Sequence, residues 1–401
     1  MSTHDEKDLL TRELRERSAD VGGHPIGMDA VRRSARRIQR RRQVVTGAVA
    51  AAVLAVAVPT ALTVADINST APGPVAPGPS PTRTVEPRLR GPVAMTLEGL
   101  ERGDDAHVDY LDRDQLVLAD GGTVQLAKEY QEIARHGDGW VALSQKDGEF
   151  TRDLLDARGT VTSSAPSTYG LAVSRDGSHV AYSEVVNGRQ RLLDASAGDT
   201  RPVPAPTGGQ VAPVGYAGPG VLVYRTEGET GQVFVLDEKS GTYEIDANPK
   251  LVSASAASEA EGFVAGMIES KPDGSCWAVV SYRTGNQTFN TCKHSLGRFS
   301  PNGKYVIGTD AYADGAGARS LAVLDAHNGK VLVQFERKGD SQLYLGEMVW
   351  EDNEHVLAPV VDGLKSQIVR FGVDGSMEAA SEPATLDDYE LPSPLRLSTQ
   401  P

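Results

Sequence analysis

Leu171–Ser183 reads LAVSRDGSHVAYS, and Gly297–Asp310 reads GRFSPNGKYVIGTD. Each stretch is an alternating apolar run, a Ser-x-Asx-Gly turn and a second such run. Asp176–Gly177 and Asn302–Gly303 supply the positive φ that tight hairpin turns require. Asx-Gly pairs begin at 120, 138, 147, 176, 187, 273, 302, 314, 328, 362 and 374, and none precedes residue 100. That density predicts serial antiparallel hairpins.

The hairpins recur with similar followers: QRLLDASAGDTRPVP at 190–204, GQVFVLDEKSGTYEI at 231–245 and SLAVLDAHNGKVLVQF at 320–335. Asp194, Asp237 and Asp325 each end an apolar strand before a Gly-containing turn. The first turn of each unit falls near Asp114, Asp138, Asp176, Gly218, Glu261, Asn302 and Asn353, with gaps of 24, 38, 42, 43, 41 and 51 residues. A unit of about 40 residues and four strands points to an all-β fold, the β-propeller. Seven blades are expected, with six or eight also compatible. A stacked β-sandwich would not produce this period. The short first unit needs a strand from a chain end, such as Val93–Leu97 or Leu395–Ser398, which would also hide a sheet edge.

Composition agrees with many short strands. The 401 residues include 42 Gly and 23 Pro, and aromatics are 5%. Length bounds one or two domains. The absence of a G-X-Y period excludes collagen, and two Cys exclude a disulfide-dense mini-protein. A net charge of −14 argues against a nucleic-acid partner.

That charge is uneven. Residues 1–43 hold eleven Lys/Arg against seven Asp/Glu, a balance of +4 that leaves −18 for the rest. Val44 to Ala65 reads VVTGAVAAAVLAVAVPTALTVA, 22 residues without a charge. As a helix it is about 33 Å long, enough to span a bilayer core. Arg36, Arg37, Arg40, Arg41 and Arg42 precede it and set the N-terminus in the cytoplasm. The 43-residue lead-in and the long apolar run disfavour a cleavable signal peptide. Residues 5–19 predict a short amphipathic helix, a docking element for a cytoplasmic partner or a frayed end. The Arg run fits topology and lipid contact better than a protein site. Residues 66–92 hold seven Pro and form an extended spacer. The expected organisation is a basic stem (1–43), a transmembrane helix (44–65), a linker (66–92) and an extracytoplasmic domain (93–401).

The S-x-D/N-G-x-x-V-A-Y hairpin followed by LLD or VLD resembles the TolB-like, WD40-like propeller repeats of bacteria. The basic stem, Ala/Val anchor and Pro linker resemble single-pass membrane proteins of actinomycetes that carry such a domain. Two or three repeats match clearly. Trp140, Trp277 and Trp350 precede Val, Ala and Glu, so the Trp-Asp pair of eukaryotic WD40 repeats is missing. No binding residue or partner is transferred from either relative.

Cys276 and Cys292 flank a segment whose Thr284–Gln287 turn would bring them together, and outside the cell a structural disulfide is expected. No G-x-S-x-G, H-E-x-x-H, P-loop or G-x-G-x-x-G occurs, so no catalytic, cofactor or metal residue is assigned. The domain's His residues (107, 136, 179, 294, 327 and 355) are scattered, and His179 and His355 hold equivalent places that favour packing. Asp310–Asp314 reads as an Asx-stabilised loop rather than a weak calcium site, and the acidic surface with Asp104–Asp105, Glu259, Glu261 and Asp387–Asp388 reads as solvated, with steering of a basic partner as the alternative. The function expected is a membrane-anchored scaffold that binds a protein or peptide outside the cell, without catalysis. The alternatives are a lyase- or glycosidase-type propeller enzyme, with three or more carboxylates or His at one channel mouth, and an envelope spacer.

Overall fold

The chain divides into two units, Met1–Pro81 and Thr82–Pro401. The computed structural model describes residues 91–400 except 169, 197–198, 205–209, 228–230, 238, 272–273, 312–316, 340 and 387–392. The stem, the apolar span, most of the linker, the five topology-setting arginines, Asp314 and Asp387–Asp388 lie outside the described residues. Among the described residues no helix is long and apolar enough to cross a membrane.

The described part of the second unit is an all-β propeller. Its strands form six hydrogen-bonded sheets. The expectation of seven blades is thereby corrected to five blade-sized sheets. Five sheets have the size of one blade, with four to six strands each, and the sixth has eight. Two units of the sequence merge in that eight-stranded sheet. The merger has a local cause: Ser167, at the end of Val161–Ser167, pairs with Glu184 of the next hairpin. The Ser167 hydroxyl also donates to the Ser183 carbonyl. The two halves pack on one another through Val141, Leu143, Val180 and Tyr182.

The hairpins form where the turn residues place them. His179–Val186 pairs antiparallel with Arg189–Ser196 across Asn187–Gly188, both at positive φ. Tyr305–Asp310 pairs with Ser320–Asp325, which pairs with Val331–Arg337. Apolar side chains from neighbouring sheets form the core between them. Val223, Val235, Val264 and Val280 fill one such layer, and Ala265, Val279, Val306 and Leu324 the next. Burying each Val or Leu side chain among these stabilises the fold by about 1.5–3 kcal/mol relative to exposure.

Inner strands lie side by side around a centre. Glu132–His136 neighbours Ala172–Val173, and Gln210–Gly218, Ser253–Ser258, His294–Phe299 and Val349–Trp350 follow in turn. Leu395–Leu397 lies beside Glu132–His136 and His355–Asp362, which closes the circuit. It completes the short first unit by pairing with Tyr110–Asp112, as Tyr110↔Leu397 and Asp112↔Leu395. Leu395 and Leu397 are buried. Beyond them Ser398 N–H donates to Asp109 O, and Thr399 N–H to Ile133 O at 2.7 Å. The other candidate, Val93–Met95, instead adds in parallel to Val331–Arg337 and covers that outer edge.

Leu397→Ala should lower unfolding free energy by about 2–5 kcal/mol, since it empties a closed layer. A urea titration of the variant checks this; an unchanged midpoint would show that the circuit holds without Leu397.

Candidate functional site

Three successive inner strands carry register shifts where they face the centre. Val214 falls between the paired residues Pro213 and Gly215, Ser255 between Ala254 and Ala256, and Gly297–Arg298 between Leu296 and Phe299. An extra residue leaves the ladder and bends the strand, which re-aims its side chain. Val214, Ser255 and Arg298 all line one cavity of about 230 Å³. Glu132, Gly170–Val173, Pro213, Gly215, Arg225, Ala256–Ala257, Phe299, Glu347 and Gln400 complete the wall. A smaller cavity of about 20 Å³ shares Val173, Ala257 and Phe299 with it and ends at Arg175 and Glu259. The two lie next to one another at the centre of the circuit and together are the channel. Small residues keep it tight: a Cβ on Gly215 would sit 3.2 Å from the Ala257 nitrogen.

Glu132 is the first residue of its strand. Its Oε1 accepts from Gly170 N–H at 3.2 Å and its Oε2 from Leu171 N–H at 3.0 Å. It is partly buried and lines the cavity. Burial pushes its carboxyl up to about 7, and the negative charge of Glu347 adds to that rise. The two backbone donors and Arg298 oppose it. Arg298 donates to Glu347 Oε1 at 2.6 Å and to the Gln400 carbonyl at 2.8 Å. Arg225 donates to Ala254 O at 2.6 Å, and burial lowers its pKa. Burial also lowers Arg396, against the raising effect of Glu129, Glu347 and Glu132.

The wall thus holds two carboxylates, Glu132 and Glu347, and no His or Cys. The Ser255 hydroxyl is engaged with the Leu296 carbonyl at 2.6 Å. Such a wall can bind ions and exchange a proton near neutral pH. Among the described residues no group of three or more His, Cys, Asp or Glu is placed to hold a metal ion.

The turn residues singled out by the sequence lie off the channel wall and share one geometry. Asp176 Oδ1 accepts from Ser174 Oγ at 2.7 Å and Ser178 N–H at 3.0 Å, with Gly177 at φ +68°. Asn302 Oδ1 accepts from Ser300 Oγ at 2.8 Å and Lys304 N–H at 3.0 Å, with Gly303 at φ +73°. The Ser178 hydroxyl, its N–H and Ser174 hold the Asp176 carboxyl at about 2. Asp194 differs from Asp237 and Asp325. It is buried, facing His179 Nδ1 at 3.1 Å, Arg201 at 2.8 Å and the Tyr216 hydroxyl at 2.8 Å. Asp237 and Asp325 cap exposed turns through Lys239 N–H and His327 N–H. His355 Nδ1 lies 2.8 Å from Asp352 Oδ2. Asp310 accepts from Arg319 N–H and Ser320 Oγ, both at 2.8 Å.

Cys276 and Cys292 form a disulfide. It sits beside the Trp277↔Thr291 pair, at the open ends of the hairpin. Glu132, Arg225, Arg298 and Glu347, the charged residues of the larger cavity, were not singled out by the sequence. A signal was present, however. Glu132, Gly170, Ser255 and Glu347 each stand six residues before a marked turn, at Asp138, Asp176, Glu261 and Asn353.

Two outcomes test this description. An acid whose folded pKa lies above its unfolded value holds its proton longer in the native state, so stability falls as pH rises from about 4.5 to about 7 and is flat above. Glu132→Gln should remove up to roughly 3 kcal/mol of that fall, as read from urea titrations at pH 4.5 and 8. Cys276→Ser should lower stability by roughly 3 kcal/mol through the lost loop constraint, and an equal midpoint under reducing and oxidising conditions would contradict it.

No family model and no curated protein matches the sequence. Solved structures do. Oligopeptidase B from Leishmania major aligns at a TM-score of 0.51 and 8% identity over 73% of this chain and 50% of that one. The β-propeller domain of the Trilobed protease from Pyrococcus furiosus gives 0.45 and 11%, covering 63% and 84%. TolB from Acinetobacter baumannii gives 0.40 and 14%, covering 69% and 64%. At these identities the likeness concerns the fold alone.

Proposed function

We propose that this protein is a single-pass, membrane-anchored propeller that holds its β domain outside the cell and binds a ligand in the central channel without transforming it. The carrying observation is the channel itself. Glu132 and the Arg298–Glu347 pair line a cavity of about 230 Å³ together with Arg225, Ser255, Gln400 and a smaller apolar share from residues such as Leu171, Val173 and Phe299. Convergent polar groups in a concave space mark a binding site. The Ser255 hydroxyl is engaged with the Leu296 carbonyl and no His or Cys lines the space, which supports binding over hydrolysis by a serine or cysteine nucleophile. The volume suits a small molecule or the end of a partner chain.

Anchoring rests on the uncharged 44–65 segment behind seven Arg within 28–43. The disulfide fits an oxidising compartment. Residues 1–43 would then offer the cytoplasm a short helix and lipid-facing cations. An actinomycete-type origin follows from the same stem, anchor and linker pattern.

Two measurements test the reading. Protease added to whole cells should digest the propeller and spare residues 1–43; an intact propeller would reverse the orientation. Full-length protein, solubilised in detergent and equilibrated with envelope extract, should retain a ligand detectable by mass spectrometry. Val214→Trp, which fills the channel, should lose that ligand while keeping the wild-type β-sheet circular dichroism. Turnover of a sugar or peptide by the wild type would overturn the non-catalytic assignment.

A further inference from the structure

We infer that the channel seats one uncharged sugar ring, whose hydroxyls meet a girdle of polar groups around the axis. This rests on the channel being a binding site and names what it binds.

The charges on the wall decide the charge of the ligand. Glu132 and Glu347 stand against Arg225 and Arg298, so the lining sums to zero. Each of these charges is also met by the protein itself. Gly170 N–H and Leu171 N–H donate to the two oxygens of Glu132. Arg298 donates to Glu347 and to the Gln400 carbonyl, and Arg225 donates to the Ala254 carbonyl. A cation or an anion entering here would leave a net charge in a recessed space, which is costly. What the wall retains is hydrogen-bonding capacity. A carboxylate has about four lone-pair sites and a guanidinium has five N–H donors, so Glu132 and Arg298 are not used up by two bonds each. The Ser255 hydroxyl spends its proton on the Leu296 carbonyl and keeps its oxygen as an acceptor. A ligand hydroxyl donates and accepts at once, so one such group serves Glu132 and Arg298, whose charges act on one another.

The arrangement of these groups decides the shape. Glu132, Arg225, Ser255 and Arg298 lie in strands of four different sheets. Glu347 lies between two strands of a fifth, and Gln400 follows the strand that closes the sixth. All six residues line the same cavity. Glu132, Ser255 and Glu347 each stand six residues before a turn, which sets them at a similar depth. An extended peptide offers polar groups along two sides. A sugar ring offers them around its whole rim. Leu171, Val173 and Phe299 supply apolar surface for the C–H face of the ring. At about 230 Å³ the cavity is smaller than the roughly 300–1,000 Å³ of drug-sized ligand pockets, which favours one ring over an oligosaccharide.

Full-length protein in a sugar-free detergent would be titrated by calorimetry at millimolar ligand. The probes are the methyl pyranosides of glucose, galactose and mannose, and N-acetylglucosamine. The aminodeoxy and uronic acid forms of the ring that binds add a positive or a negative charge, and sorbitol carries the hydroxyls on an open chain. Saturable binding of at least one uncharged ring, about tenfold or more tighter than its charged forms and sorbitol, supports the inference. Its affinity should hold between low and high salt, since no ion pair forms. Glu132→Gln should weaken it by about tenfold, because hydrogen bonds to a charged acceptor are stronger, with thermal unfolding showing that the variant is folded. The idea is overturned if no uncharged ring binds, if a charged form or sorbitol binds equally, or if Glu132→Gln leaves the affinity unchanged. Should every ring fail while the envelope ligand is still lost in Val214→Trp, the sugar assignment falls and the channel reading stands.

Discussion

Closure of the circuit by Leu395–Leu397 is the constraint on which the rest depends. Tyr110–Asp112 and Gln115–Val117 supply a narrow sheet whose inner edge would otherwise present unpaired backbone groups. The closing strand covers that edge, and Thr399 carries the chain on to Ile133, one residue from Glu132. The position of the channel's central carboxylate is therefore tied to the closure. So is Arg298, which holds the Gln400 carbonyl.

Much of the architecture was legible in the sequence because it is local. Asp176–Gly177 and Asn302–Gly303 fix hairpins through bonds that span two or three residues, and such bonds leave a motif. That the first unit borrows a strand was legible for a different reason, because a unit lacking a strand must take one from elsewhere; the choice of Leu395–Ser398 over Val93–Leu97 came from the structure. The sheet count was not legible, because the joining of two units depends on one long-range pairing, Ser167 with Glu184. The span at 44–65 is read from the sequence and lies outside the described residues.

The channel was harder still. Its polar wall comes from Arg298, at a register shift that no periodicity announces, from Ser255 at another such shift, and from Glu132, which reads as an ordinary strand-leading acid. What makes Glu132 special is its setting: two backbone donors, a nearby acid and deep burial. The turn-minus-six position was a usable marker. It identifies Glu132 and Glu347 directly, and it fails for Arg298 because the shift there displaces the lining residue toward the turn.

The closing strand also has a consequence in time. Leu395–Leu397 is synthesised about 280 residues after the Tyr110–Asp112 strand it completes. At roughly 5–20 residues per second, that interval is on the order of 15 to 60 seconds. Throughout it, the first sheet waits with a bare rim while the later sheets are being made. A nascent chain in that condition is exposed to mispairing with its neighbours. Growth of this protein is thus a race that ends only when the tail emerges, and a ribosome stalled before residue 395 would leave an unclosed, adhesive crescent.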